Sequence, residues 1–242
     1  MFEQARIQYR LLIELLPREI DNYISLAYIS LREKDAKNAI EILNKALTLD
    51  KKQAQVYFLL GLSFAQEGNF TQAEEAYLES LEIDSDEDSV IFYLGALYER
   101  NNLRDKAEGQ FKKAINVNPE NAEALNYLGY MYAEEGQNLE EAEALIKHAL
   151  EIEPENAAYL DSLGWVYYKL GRFEEAYQLI KKALTFAGDD AVIFEHLADI
   201  YLKQGDIDKA KVNFDKSLEL KPDNEEVKKK LFNIKKEHSI NK

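Results

Sequence analysis

Residues 88–119 read DSVIFYLGALYERNNLRDKAEGQFKKAINVNP, running from Asp88 to Pro119. Leu94 and Gly95 are followed three residues later by Tyr98, and Ala107 is followed four residues later by Phe111. Spacings of three and four place side chains on one face of an α-helix. The stretch therefore predicts a helix, a turn and a second helix, each with one apolar face.

The pattern recurs along the chain. Alanine returns at Ala5, Ala39, Ala73, Ala107, Ala142, Ala176 and Ala210, at intervals of 34, 34, 34, 35, 34 and 34 residues. The four prolines, Pro17, Pro119, Pro154 and Pro222, keep the same lattice. Ahead of each alanine from Ala39 onward lies a leucine followed by a small residue: Ala27, Gly61, Gly95, Gly129, Gly164 and Ala198. Four residues after the alanine stands a large apolar residue: Leu43, Tyr77, Phe111, Ile146, Ile180 and Phe214. A mid-helix glycine costs about 1 kcal/mol relative to alanine, so its return in four units implies that the two helices approach too closely there for a side chain. Gly68, Gly136, Gly171 and Gly205 mark the turns, where glycine adopts a left-handed backbone at least cost.

This pattern resembles the tetratricopeptide repeat family. Its motif over 34 residues is nearly intact at Ile91, Leu94, Gly95, Tyr98, Ala107, Phe111, Ala114 and Pro119. Stretches such as Asn126-Tyr127-Leu128-Gly129 are similar to bacterial members. The departures are Asn138, which lies in a one-residue insertion, and Gly188, which stands where proline would be. The resemblance implies an all-α fold, a right-handed α-α superhelix (solenoid) of antiparallel helix pairs. Six complete repeats are expected at residues 20–53, 54–87, 88–121, 122–156, 157–190 and 191–224. Residues 1–19 read as the second helix of an incomplete repeat, and residues 225–242 as a C-terminal capping helix and tail, with the polar outer face such arrays need at their ends. The front end lacks such a cap, so the chain is expected to be a piece of a longer repeat protein or a naturally shortened one, and self-association through the uncapped N-terminal helix is a further expectation.

In this family the first helices line a channel that holds peptides or helices, chiefly against the second, fifth, ninth and twelfth residues of each unit. Carried onto this chain, those positions give a candidate groove of Tyr28, Phe58, Leu62, Phe92, Glu99, Asn126, Tyr130, Asp161, Trp165, Tyr168, Glu195 and Asp199. The surface is aromatic, and its formal charges are all negative. It suits an apolar segment, such as an amphipathic helix, flanked by basic residues that meet Glu99, Asp161, Glu195 and Asp199. The plainer alternative is that the aromatics fill space between repeats. A carboxylate clamp for an acidic C-terminus is not expected, since no fifth position is lysine and no ninth is asparagine.

Composition narrows the function further. Among 242 residues, 46% are hydrophobic and 31% charged, and apolar runs are broken by charge, so a folded chain without a membrane span is expected. The net charge of -15 repels phosphate backbones and disfavours nucleic acid. The Lys-rich stretch after Glu225 reads as a solvated helix end. Cysteine is absent, which removes disulfides and thiolate chemistry. The start, Met1-Phe2-Glu3-Gln4-Ala5-Arg6, does not read as a signal peptide. The expected compartment is cytoplasmic, or periplasmic if an export signal has been lost.

His148, His196 and His238 sit in separate units without metal-ligand spacing, and His196, although beside Glu195 and Asp199, is expected to be solvated. Paired glutamates such as Glu140-Glu141 lie at helix starts, where they favour the helix dipole. No phosphate loop or nucleophile elbow occurs. The expectation is a non-catalytic scaffold or adaptor without cofactor or metal. The alternatives are a regulatory or targeting segment of a larger enzyme and a self-assembling structural array.

Overall fold

The computed structural model describes residues 2–240, and His238 falls outside the described side chains. Among the described residues the chain forms fourteen α-helices and no strand. They group into two compact units, residues 1–121 and 122–242.

Unit one holds α1 (Phe2–Leu15), α2 (Ile20–Arg32), α3 (Ala36–Leu49), α4 (Ala54–Gln66), α5 (Phe70–Ile83), α6 (Asp88–Arg100) and α7 (Arg104–Val117). Helices pair as α2 with α3, α4 with α5 and α6 with α7, and α1 packs on α2. Adjacent first helices, α2, α4 and α6, also touch one another, forming one layer.

Unit two repeats the plan with α8 (Ala122–Glu135), α9 (Leu139–Ile152), α10 (Ala157–Lys169), α11 (Phe173–Ala187), α12 (Ala191–Lys203), α13 (Ile207–Leu220) and α14 (Glu225–Ile240). Its first helices α8, α10 and α12 form a second such layer, and α14 packs on α13.

The pairing follows from the lattice residues. Every lattice alanine from Ala39 to Ala210 is fully buried, and the large residue four positions on is at most 1% exposed. The small residue of the first helix lies directly against it. A Cβ added at Gly61 would stand 2.4 Å from the Tyr77 ring, and at Gly95, Gly129 and Gly164 it would stand 2.8, 2.6 and 2.7 Å from Phe111, Ile146 and Ile180. Such distances are inside van der Waals contact, so glycine is what allows the helices to close.

The turns carry a positive φ in all six pairs. Gly68, Gly136, Gly171 and Gly205 supply it in four, as expected, while Lys34 (φ 61°) and Asn102 (φ 58°) adopt it in the other two. Asp35, Asn69 and Asp206 then cap the second helices α3, α5 and α13 by accepting a backbone N–H three residues on.

Candidate functional site

The first-helix layers of the two units carry the candidate residues in different surroundings. In unit one, α2 presents Tyr28, 50% exposed, above a groove of about 280 Å³ lined by Tyr9, Ile24, Ser25, Tyr28, Ile29, Gln55 and Leu59. No lining residue carries a formal charge at neutral pH. Phe58 and Leu62 of α4 are half-buried, and the Phe58 ring lies 5.4 Å from that of Tyr93. Phe92 is buried against Phe111, with ring centroids 5.9 Å apart, and serves the core more than the surface. Glu99 is exposed near the end of α6.

In unit two the equivalent layer is closed by its own side chains. His196 Nδ1 lies 2.9 and 3.0 Å from the two carboxylate oxygens of Asp161, and both residues are buried. Trp165, also buried, stacks on His196 at 4.2 Å and on Tyr168 at 4.6 Å, with interplanar angles of 14° and 4°. Its indole N–H donates to Glu134 Oε1. Tyr130 reaches the same cluster, its ring 6.5 Å from that of His196. Farther along, Lys230 of α14 donates to Glu195 Oε1 at 2.8 Å and to Asp199 Oδ2 at 2.7 Å, and Asn224 also donates to Glu195. Asn126 is buried on α8 with its Oδ1 lacking a hydrogen-bond partner, a state that costs about 1–3 kcal/mol unless an incoming donor satisfies it.

These contacts correct three expectations. His196 is not solvated: it is 5% exposed and bound to Asp161. The Lys-rich end is not wholly solvated either, because Lys230 is drawn down onto α12. The acidic residues of unit two expected to face basic flanks of a ligand are paired within the fold, Asp161 with His196, and Glu195 and Asp199 with Lys230. The physical reason is common to all three: a carboxylate removed from water needs a partner of opposite charge, and the neighbouring first helix supplies it.

Titration follows the same contacts. Burial alone favours neutral imidazole at His196, but the Asp161 carboxylate, helped by Asp199 and Glu195, outweighs it and raises the pKa above the ordinary value. Burial likewise opposes the ammonium of Lys230, and Asp199 and Glu195 again outweigh it, so that pKa also rises. Asp199 is pushed upward by burial despite Lys230.

Sequence reasoning missed Tyr9, His196, Lys230 and Glu134 as parts of these layers. One signal lay within reach. Asp161 and Glu195 are fifth residues of their units, and their partners His196 and Lys230 are sixth residues of the next first helix, each 35 residues on. The Phe58–Tyr93 ring pair of unit one occupies the same register.

Among the described residues no group of histidines and carboxylates could hold a metal ion, and no helix is long and apolar enough to cross a membrane.

Comparison with known families gives the class. The model described as the Cilia and flagella-associated protein 70 middle TPR-like domain matches residues 66–187, just over half of the chain, and two described as Tetratricopeptide repeat match residues 25–88 and 167–234. The chain belongs to the tetratricopeptide repeat family, whose fold is a scaffold for protein–protein interaction.

Among solved structures it is similar to a chain of the APC/C hetero-tetramer Cut9-Hcn1, at 20% identity and a TM-score of 0.86, covering 97% of this chain and 46% of that one. The chain thus spans less than half the length of that relative. It is also similar to pilF of Pseudomonas aeruginosa, at 20% identity and a TM-score of 0.73, covering 94% and 97% of the two chains. YrrB, titled a TPR protein with an unusual peptide-binding site, matches at 22% identity and a TM-score of 0.57, covering 76% and 95%. At these identities the likeness concerns the fold, which is the all-α solenoid of helix pairs expected from the repeat. No curated protein sequence matches the chain.

Proposed function

We propose that the chain is a non-catalytic adaptor that binds an apolar peptide or amphipathic helix on the first-helix layer of unit one, centred on Tyr28. The observation that carries this reading is the uncharged groove of about 280 Å³ beneath a half-exposed tyrosine. Apolar concavities edged by an aromatic with a polar tip are favourable docking points, because burial gains area while the hydroxyl keeps a hydrogen bond. Asp21 and Glu99, both exposed on this layer, are the carboxylates that basic flanks of a ligand would meet. Unit two supports the choice by contrast, since its carboxylates and its tryptophan are engaged within the fold. YrrB, described as a TPR protein with an unusual peptide-binding site, supports this reading through its likeness of fold.

The test is titration of fluorescently labelled amphipathic helical peptides, with Lys or Arg at their ends, into the wild type, Tyr28→Ala and Trp165→Phe. Binding that weakens about tenfold in Tyr28→Ala and holds in Trp165→Phe is expected, a change of the size seen when one interface anchor is truncated. Binding that survives Tyr28→Ala and is lost in Trp165→Phe would move the site to unit two.

A further inference from the structure

Unit two uses one register twice, with two different cations. Glu195 on α12 takes Lys230 from α14, 35 residues on, and Asp161 on α10 takes His196 from α12, again 35 residues on. Asp199 and Glu195 hold the Lys230 ammonium above the ordinary lysine range, so it stays charged around neutral pH. Imidazole is the side chain that changes charge there. The layer therefore carries a permanent cation at one joint and a titratable one at the other.

The titratable joint is built to pass that change on. His196 Nδ1 contacts both Asp161 oxygens, and the two side chains are only 6% and 9% exposed. Trp165 covers the imidazole face and is covered in turn by Tyr168. The charges around the ring are Asp161 on α10 and Glu195 and Asp199 on α12 itself, with Lys230 of α14 on the latter two. Beyond Trp165, Glu134 of α8 accepts its indole N–H, and Lys169 Nζ lies 4.9 Å from its ring centre. Tyr130 of α8 completes the surroundings, while α11 and α13 add no hydrogen bond or ring contact to His196 among the described residues. Deprotonation leaves Lys230 as the cation of the cluster, and it lies on Glu195 and Asp199, not on Asp161. A neutral ring can keep its Nδ1–H on Asp161, so the hydrogen bond survives and the ion pair does not. Asp161 is then a buried carboxylate without a counter-charge, and Trp165 loses the imidazolium from its face.

We propose that Asp161–His196 is a proton-operated latch between α10 and α12, closed when the imidazole is charged and loosened when it is neutral. Loosening uncovers Trp165 and Tyr168, so the aromatic face of unit two is presented on the alkaline side. The Asp161 carboxylate outweighs burial and raises the titration above the ordinary histidine value, so the latch is fully closed below pH 6.5 and loosens as pH rises through the folded value.

Acrylamide quenching of Trp165, the only tryptophan, between about pH 5.5 and 8.5 tests this. Quenching is expected to rise by about twofold or more through a transition above pH 6.5, as local opening exposes the indole. His196→Lys, which copies the Glu195–Lys230 joint, should keep Trp165 protected throughout. Asp161→Asn removes the carboxylate and should move the transition below pH 6.5, because burial then favours the neutral ring. His148→Gln, in the same unit, should keep the wild-type transition. Quenching that is flat in the wild type overturns the proposal. A transition that persists in His196→Lys, stays in place in Asp161→Asn or vanishes in His148→Gln does so too, by assigning the titration to another group.

Discussion

Units one and two place the same contact in opposite chemistry. Each brings the fifth residue of a first helix against the sixth residue of the next, 35 positions on. Unit one fills it with the Phe58–Tyr93 ring pair, and at the same register Ile24 and Leu59 line its groove. Unit two fills it with Asp161–His196 and Glu195–Lys230. An apolar residue needs no particular partner and can stay partly open to a ligand. A carboxylate in a half-dry layer cannot, and it draws in the nearest cation until the surface is closed. One fold thus carries a first-helix layer that stays partly open and one whose charges are paired internally, and the difference lies in a few residues at a single register.

The largest effect that would break this contrast is expected from Asp161→Ala. It leaves His196 buried without its counter-charge and should cost about 3–5 kcal/mol, read from urea unfolding by Trp165 fluorescence. A cost below about 1 kcal/mol would mean that the pair does not close unit two.

Lys230→Met comes next. Its side chain is 26% exposed, so solvent softens the loss, and about 2 kcal/mol is expected. The more telling readout is binding: with Glu195 and Asp199 released, unit two should gain affinity for lysine-rich peptides. No gain would show that Lys230 does not guard those carboxylates.

A pH titration sharpens the comparison, because all three histidines lie in unit two. The His196 pKa is raised in the folded state above its ordinary value of 6.5. Its stabilising contribution is therefore complete below pH 6.5 and is lost as pH rises through the higher folded pKa. Trp165 fluorescence should report a transition with its midpoint above pH 6.5, absent in His196→Gln. A midpoint below 6.5 would reverse the assigned balance between burial and Asp161.

The smallest effect is expected at the turns. At the position where each helix pair turns, unit two has Gly136, Gly171 and Gly205, with Asn138 left-handed as well just after Gly136, whereas unit one uses Lys34 and Asn102 beside Gly68. Lys34→Gly should stabilise unit one by about 1 kcal/mol, and Asn102→Gly by less, since asparagine tolerates that backbone better. Differential scanning calorimetry that finds Lys34→Gly destabilising would show the turn to be set by side-chain contacts instead of backbone strain.

The helix pairs were legible because their determinants are local and repeated. Ala107 and Phe111 share a helix face by spacing alone, and the glycine that answers Phe111 recurs so often that close helix approach follows from the sequence. The candidate groove was legible only as positions. Tyr28 and Trp165 occupy the same ninth place in their units, yet one is half-exposed and the other is stacked between His196 and Tyr168. His196 was misread as solvated because its nearest neighbours in sequence, Glu195 and Asp199, were weighed while its contact, Asp161, lies 35 residues back.

By itself, then, the sequence determined the period, the pairing of helices and the residues that face inward, since these depend on interactions within one turn or one helix pair. Only the tertiary structure decided which inward residues remain available. Within each unit, stacking one helix pair on the next sets the 35-residue register, and that register determines whether a side chain meets a ring, an opposite charge or open solvent.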